Sequence, residues 1–138
     1  VPVGAFVANE KFAQAMEPGD HGSTYGGNPF VCTAVSTVFD ILKNDHIVEN
    51  CAEVSKYLIK QLDKLVKDYD VVETHRGLGL MQGIVLTVPA KDYVKALLDE
   101  GVIVVTAGEK VVRILPPLII TKENVDEFIS KFRKVLDK

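Results

Sequence analysis

Apolar side chains recur at spacings of three and four residues in several long stretches of this chain, the pattern of helices that bury one face. The clearest stretch predicts a helix from Pro29 to Lys43, with Asn28 as its N-cap and proline at the first helical position. One short helix and three long ones are predicted from similar signals: Glu10–Met16, His46–Lys67, Lys91–Glu100 and a last helix capped by Thr121.

Shorter apolar runs predict strands. From Val71 onward, the order strand, strand, helix, strand, strand, helix indicates an α+β layer in which one sheet is covered by helices. We place a boundary near Asn44, with a loop-and-helix segment at 1–44 and a small α+β domain at 45–138. The predicted strands are Val3–Ala8, Val71–Thr74, a run that follows a glycine turn after Arg76 and closes at Pro89, a buried strand Val102–Thr106, and Val111–Leu115.

Composition and charge narrow the classes of function. With 138 residues, of which 47% are hydrophobic, the chain is long enough to bury a core. Its net charge of -3 argues against a nucleic-acid partner, which would require a basic face. No apolar run approaches a membrane span and no secretory signal is visible, so we expect no membrane partner and a cytoplasmic location.

The cysteines and histidines suggest no metal site. Cys32 and Cys51 both fall in helical patterns, and we expect buried free thiols, with a disulfide between the two helices as the open alternative. His21, His46 and His75 are scattered, and no ligand spacing links them to the cysteines. No metal is therefore predicted.

A glycine-rich loop, Asp20–Pro29, precedes the helix that begins at Pro29. Three glycines allow close approach of the backbone to a ligand, and Ser23, Thr24 and free backbone N–H groups can donate to an anion at a helix N-terminus. This pattern predicts a loop that contacts an oxyanion or a phosphate. Its alternative is a flexible loop that ends in an asparagine cap.

Arg113 is the only charge in an otherwise apolar strand, and its planar guanidinium suits a carboxylate. The alternative is an edge-strand arginine that faces water. Arg76 precedes a glycine turn and is expected to be structural, and His75 beside it has no evident acidic or nucleophilic partner. The glycines that follow do not match the dinucleotide fingerprint, and Ser23 lacks the context of a hydrolase nucleophile.

Four motifs together resemble the C-terminal part of the class III pyridoxal-phosphate-dependent aminotransferases, and most closely the acetylornithine aminotransferases. They occur in the same order and span essentially the whole chain. The motifs are V-P-V-G-A at 1–5, H-G-S-T-Y-G-G-N-P at 21–29, R-G-L-G-L-M at 76–81 and R-I-L-P-P-L at 113–118.

This resemblance implies a fold, a cofactor and residue roles. It implies the small α+β domain of a fold-type I transferase, preceded by a remnant of the large domain. Ser23 and Thr24 match positions that contact the phosphate of pyridoxal 5'-phosphate in the neighbouring subunit of a homodimer. Arg113 matches the arginine that binds the α-carboxylate of the amino-acid substrate or of 2-oxoglutarate.

The resemblance also implies that catalytic parts lie outside this sequence. The family's Schiff-base lysine lies just before the V-P-V-G-A motif, and none of the thirteen lysines here has its context. Since the chain also begins without Met, we expect a portion of a longer enzyme, inactive by itself and with no catalytic residue of its own. Its substrates could instead be succinylornithine, ornithine or 4-aminobutyrate, and the rival reading is a non-catalytic α+β binding module.

Overall fold

The computed structural model describes residues 1–138 and divides them into two units. The N-terminal unit is Val1–Asp45 and the C-terminal unit is His46–Lys138. The elements are α1 (Glu10–Ala13), α2 (Pro29–Asn44), α3 (Ile47–Asp68), β1 (Val72–Leu78), β2 (Met81–Leu86), α4 (Lys91–Asp99), β3 (Val105–Thr106), β4 (Val111–Ile114) and α5 (Lys122–Leu136).

The N-terminal unit is mostly irregular before α2. The predicted strand Val3–Ala8 is wrong: these residues are exposed and form no ladder. Apolar residues favour a strand only where another strand accepts their backbone hydrogen bonds, and this unit supplies none. Helix α1 is shorter than predicted, although Asn9 caps it as expected by accepting a hydrogen bond from the backbone N–H of Phe12 at 3.2 Å.

Helix α2 confirms the sequence prediction closely. The Asn28 side-chain oxygen accepts a hydrogen bond from the Val31 backbone N–H at 3.0 Å, and Pro29 occupies the first turn. No residue of α2 is buried, however, and Phe39 on its predicted inner face is 66% exposed. Cys32 is exposed as well, so the prediction of a buried thiol is wrong at that position, and both cysteines are free.

The C-terminal unit is built on one antiparallel sheet with strand order β1-β2-β4-β3. The glycine turn predicted after Arg76 is confirmed, since the chain reverses at Gly79-Leu80, but β1 extends beyond its predicted end at Thr74 to Leu78. Strands β3 and β4 form a second hairpin, in which the Ala107 N–H donates to the Val111 carbonyl at 2.9 Å.

Helices α3, α4 and α5 cover one face of this sheet, and the predicted α+β order is confirmed. The predicted buried strand Val102–Thr106 is reduced to two exposed edge residues, and Ile103 is 86% exposed. The core combines α3, the sheet, α4 and α5 through Val54, Leu58, Leu62, Leu65, Val72, Leu80, Ile84, Leu86, Ala90, Leu97, Val112, Ile114, Val125, Ile129, Phe132 and Val135.

None of the five helices is both long and apolar enough to cross a membrane.

Candidate functional site

Local hydrogen bonds shape the glycine-rich loop of the N-terminal unit. The Gly26 N–H donates to the Ser23 hydroxyl oxygen at 2.9 Å, and the Asn28 side-chain amide donates to the Tyr25 carbonyl at 2.6 Å. Asn28 also caps α2, so one side chain links the loop to the start of the helix. The loop therefore ends where the N-terminal dipole of α2 favours an anion.

The two predicted phosphate contacts, Ser23 and Thr24, are exposed in this loop. The Ser23 oxygen accepts one hydrogen bond but its hydroxyl hydrogen is still available to donate, and the Thr24 hydroxyl makes no hydrogen bond within the chain. A Cβ at Gly26 would lie 3.0 Å from both Cβ and Oγ of Ser23, so glycine leaves that hydroxyl room. These groups fit the phosphate of pyridoxal 5'-phosphate.

Arg113, the predicted carboxylate contact, lies on β4 between β2 and β3. It is exposed, yet it sits on an inner strand rather than on the sheet edge that the alternative reading supposed. Its guanidinium forms no ion pair, whereas Arg133 is paired with Asp68 at 2.5 Å. The Arg113 guanidinium is therefore exposed and available to bind an anionic ligand.

His75 has an acidic partner that the sequence did not predict. Its Nε2 lies 2.9 Å from an Asp63 carboxylate oxygen on α3, and its Nδ1 is buried without a hydrogen-bond partner. Strand β1 packs against α3, and this packing brings His75 to Asp63. The pair joins β1 to α3, so we interpret it as a structural contact.

Two carboxylates whose pKa is lowered by lysine partners join one helix to another. Hydrogen bonds from Lys134 and Lys138 lower the pKa of Glu100, which tethers the end of α4 to α5. Lys122 lowers the pKa of Glu53 in the same way between α5 and α3. These perturbed groups stabilise the packing of helices and carry no sign of proton-transfer chemistry.

An apolar cleft of about 240 Å³ lies between α3, β4 and α5. Asn124 is the only side chain in its lining with a hydrogen-bonding group, and no charged residue reaches it. The cleft therefore supplies no charged contact for a carboxylate or phosphate. Its lining is Leu58, Val102, Ile103, Val104, Ile114, Leu115, Pro116, Pro117, Ile120, Asn124, Val125 and Phe128.

Comparison with known proteins agrees with the predicted family. The chain is 39% identical to the acetylornithine aminotransferase of Methanocaldococcus jannaschii and 43% identical to that of Streptococcus mutans, over 98% and 100% of its length. It spans only 34% and 36% of those relatives. The solved structure of Plasmodium falciparum ornithine delta-aminotransferase superposes with a TM-score of 0.86 at 33% identity, over 95% of this chain and 35% of that one.

The sequence pattern of the family "Aminotransferase class-III" matches residues 1–136, which is nearly the whole chain. The relatives and the solved structure agree with that match over the same extent. This chain therefore belongs to the class III aminotransferases.

Proposed function

We propose that this chain serves an aminotransferase that moves an amino group between N-acetylornithine and 2-oxoglutarate with pyridoxal 5'-phosphate as cofactor. The observation that carries the proposal is Arg113, an unpaired guanidinium on an inner strand that is otherwise apolar. The relatives named acetylornithine aminotransferase support this choice of substrate. The enzyme would act in arginine biosynthesis, in the cytoplasm and as a homodimer.

In this proposal, Ser23 and Thr24 hold the cofactor phosphate of the neighbouring subunit. Their hydroxyl groups donate to phosphate oxygens, and the N-terminus of α2 adds a favourable dipole. Pyridoxal phosphate, when bound, supplies the electron sink that transamination needs. The contribution of this loop is to position the cofactor.

Arg113 binds and orients the substrate carboxylate. Guanidinium and carboxylate form two parallel hydrogen bonds, which fix the orientation of the substrate as well as its affinity. Because β4 is held between two other strands, the Arg113 backbone is restrained by the sheet. Orientation of the reacting molecule is a large part of catalysis in such sites.

The 138 residues alone are proposed to be inactive. The thirteen lysines lie in the five helices, in the turn before β4 and at the tail, and none has the context of the family's Schiff-base lysine. We expect no stoichiometric covalent adduct when the chain is mixed with pyridoxal phosphate and treated with borohydride. Intact mass and peptide mapping would measure this, and full labelling of one lysine would refute the proposal that the chain lacks a Schiff-base lysine.

Turnover assays on the full-length protein that contains this chain test the substrate. We expect N-acetylornithine to be the best amino donor and Arg113→Ala to raise the KM for both substrates by roughly 10- to 100-fold, since it removes charge-assisted hydrogen bonds. Lys95→Ala is the matched control, because Lys95 is exposed on α4 and in no ion pair. An unchanged KM in Arg113→Ala would refute the carboxylate role.

Succinylornithine, ornithine and 4-aminobutyrate are alternative donors for the same proposed site. Ornithine has specific support in the similarity to Plasmodium falciparum ornithine delta-aminotransferase. The same assays, run with all four donors at equal concentration, would rank them by kcat/KM. A higher kcat/KM for one of the other three would replace N-acetylornithine and leave the role of Arg113 in place.

A further inference from the structure

Arg113 lies close to the point where the strand pairing of β4 ends. On the β3 side the last pair joins Arg113 to Val105, and on the β2 side the last pair joins Ile114 to Gln82. Leu115, which follows, is exposed and lies at the apolar cleft. The sheet therefore restrains the backbone of β4 only up to this point, and contacts of another kind must hold its continuation.

Two prolines make that continuation stiff. The rings of Pro116 and Pro117 fix φ at about -65°, and the residue before each proline is restricted to extended conformations. Neither proline has an N–H group, so neither can donate a backbone hydrogen bond. The segment from Leu115 to Leu118 thus behaves as a rigid connector, in which the position of one end affects the position of the other.

Asn50, in the first turn of α3, holds the far end of this connector. Its side-chain amide donates to the Leu118 carbonyl and to the Ile120 carbonyl, both at 3.1 Å. Sγ of Cys51 lies 3.3 Å from the same Leu118 carbonyl and is a weaker donor. Because Leu62 and other residues of α3 are buried in the core, the helix provides a fixed anchor.

Few other contacts hold this part of the chain. Among residues 116–120, the only hydrogen bond besides those from Asn50 and Cys51 is local, from the Ile120 N–H to the Pro117 carbonyl at 3.3 Å. Leu118 and Ile119 are exposed, so apolar packing adds little. Without the Asn50 amide, only the weak thiol contact would tie the connector to α3.

We propose that Asn50 is a positioning residue for Arg113. By holding the Leu118 carbonyl, it fixes, through the two prolines, the end of β4 from which the Arg113 guanidinium extends. This inference rests on the proposed function for the carboxylate role of Arg113, and it adds a residue of α3 on which that role depends. The placement of a binding group matters, since a shift of about 1 Å can weaken its effect as much as 100-fold.

Steady-state kinetics of the full-length protein that contains this chain test the inference. We expect Asn50→Ala to raise the KM for both substrates about fivefold and to change kcat less than about twofold, because it weakens carboxylate binding in the ground state and transition state alike. Asn50→Gln keeps both N–H donors on a longer side chain and is expected to recover part of the loss.

Tyr57→Phe is the matched control. It removes another side-chain hydrogen bond of α3, from the Tyr57 hydroxyl to Asp126 at 2.7 Å, and leaves the segment after β4 untouched. Its KM values are expected to equal those of the parent protein. Hydrogen exchange of the β4 amides, measured in the 138-residue chain, should speed up in Asn50→Ala and stay unchanged in Tyr57→Phe.

A double-mutant cycle separates positioning of Arg113 from a general loss of structure. If Asn50 acts through Arg113, adding Asn50→Ala to Arg113→Ala should change KM by less than about twofold, because coupled residues do not act additively. A structural effect of Asn50 would be independent of Arg113. The same increase in KM in both backgrounds would therefore overturn the inference.

The remaining outcomes distinguish this inference from the proposed function. An unchanged KM in Asn50→Ala beside a raised KM in Arg113→Ala would overturn the inference and leave the proposed function in place. An unchanged KM in Arg113→Ala would refute the carboxylate role and the inference with it. Asn50→Asp keeps the size of the side chain but loses both N–H donors, and it provides the same test if Asn50→Ala does not fold.

Discussion

The two units of this chain use the same kind of hydrophobic pattern with opposite results. In the C-terminal unit, periodic apolar residues of α3 and α5 close a core in which Phe132 and Leu65 are fully buried. In the N-terminal unit, no residue is buried. Its large exposed apolar residues are Val1, Val3, Phe6, Val7, Phe12, Met16, Tyr25, Phe30, Val38, Phe39 and Ile41.

This difference shows that a periodic pattern predicts a helix but not what covers it. Helix α2 forms where its asparagine cap, proline and apolar spacing predict it, yet its apolar face has no partner within its unit. Most helical stability in proteins comes from tertiary packing rather than from propensity. The C-terminal unit should therefore hold nearly all of the folding free energy of these 138 residues.

The largest expected effect comes from removing a buried aromatic side chain in the C-terminal unit, compared with removing an exposed one in the N-terminal unit. Phe132→Ala removes a fully buried ring from α5 and should lower the free energy of unfolding by about 3–5 kcal/mol. Phe39→Ala, in α2, should change it by less than about 0.5 kcal/mol. Urea unfolding of both variants measures this, and a comparable loss in Phe39→Ala would contradict the difference between the units.

The next largest difference in stability is expected between alanine substitutions at two glycines, one in each unit. Gly77 in β1 has φ +156, and an added Cβ would lie 2.1 Å from the carbonyl oxygen of Met81. Gly77→Ala should therefore destabilise the C-terminal unit by roughly 3 kcal/mol. Gly22→Ala meets nothing within 4 Å in the N-terminal unit and should stay within about 0.5 kcal/mol.

Urea midpoints of both glycine variants measure this effect, and the spectrum of Gly77→Ala would show whether the β1–β2 pairing is kept. Equal midpoints for Gly77→Ala and the parent chain would mean that the Met81 carbonyl moves aside at little cost. The glycine would then carry no structural constraint at this position.

Sequence patterns predicted the helices well because their signals are local. The cap at Asn28, the helix predicted over Lys91–Glu100 and the last helix that follows Thr121 each depend on residues within a few positions, and all three are confirmed. Strand β1 was predicted to end too early, at Thr74, for a related reason. Gly77 resembled a turn residue, but its glycine requirement arises from a cross-strand contact with Met81.

The predictions that were wrong, and the contacts that the sequence did not predict, depend on pairing between segments that are distant in the chain. The predicted strand at Val3–Ala8 lacks a ladder partner, and the His75–Asp63 contact depends on packing of β1 against α3. The contact of Asn50 with the Leu118 carbonyl joins the start of α3 to the segment after β4, and only the structure provides it. The two prolines in that segment were the available signal, because a backbone that lacks N–H groups must be held by other contacts.

The N-cap of α2 gives a smaller and more local prediction. Asn28→Ala removes the acceptor for the Val31 N–H and should weaken α2 by about 1 kcal/mol. Hydrogen exchange at the amides of α2 should then speed up severalfold, while Asn28→Ser should retain protection. Because every core residue comes from the C-terminal unit, the urea midpoint should not move, and a shift would contradict this separation.

The smallest expected effect concerns the ion pairs that tether α4 to α5. Lys134 and Lys138 lower the pKa of Glu100 from its ordinary value of 4.5, so its carboxylate stabilises the folded state above that pH. This contribution is lost as the pH falls through the lowered pKa, when the carboxylate takes up a proton. The stability of Glu100→Gln should therefore fall below that of the parent chain at neutral pH and converge with it in acid.

Asp99→Asn is the matched control, because Asp99 precedes Glu100 at the same helix end, is exposed and forms no ion pair. Urea midpoints measured between pH 3 and 7 would show convergence only for Glu100→Gln. Added salt should shrink the neutral-pH difference, since exposed ion pairs are screened. A difference that persists unchanged in acid would instead assign the effect of Glu100 to packing, and the contrast between the units would then rest on apolar burial alone.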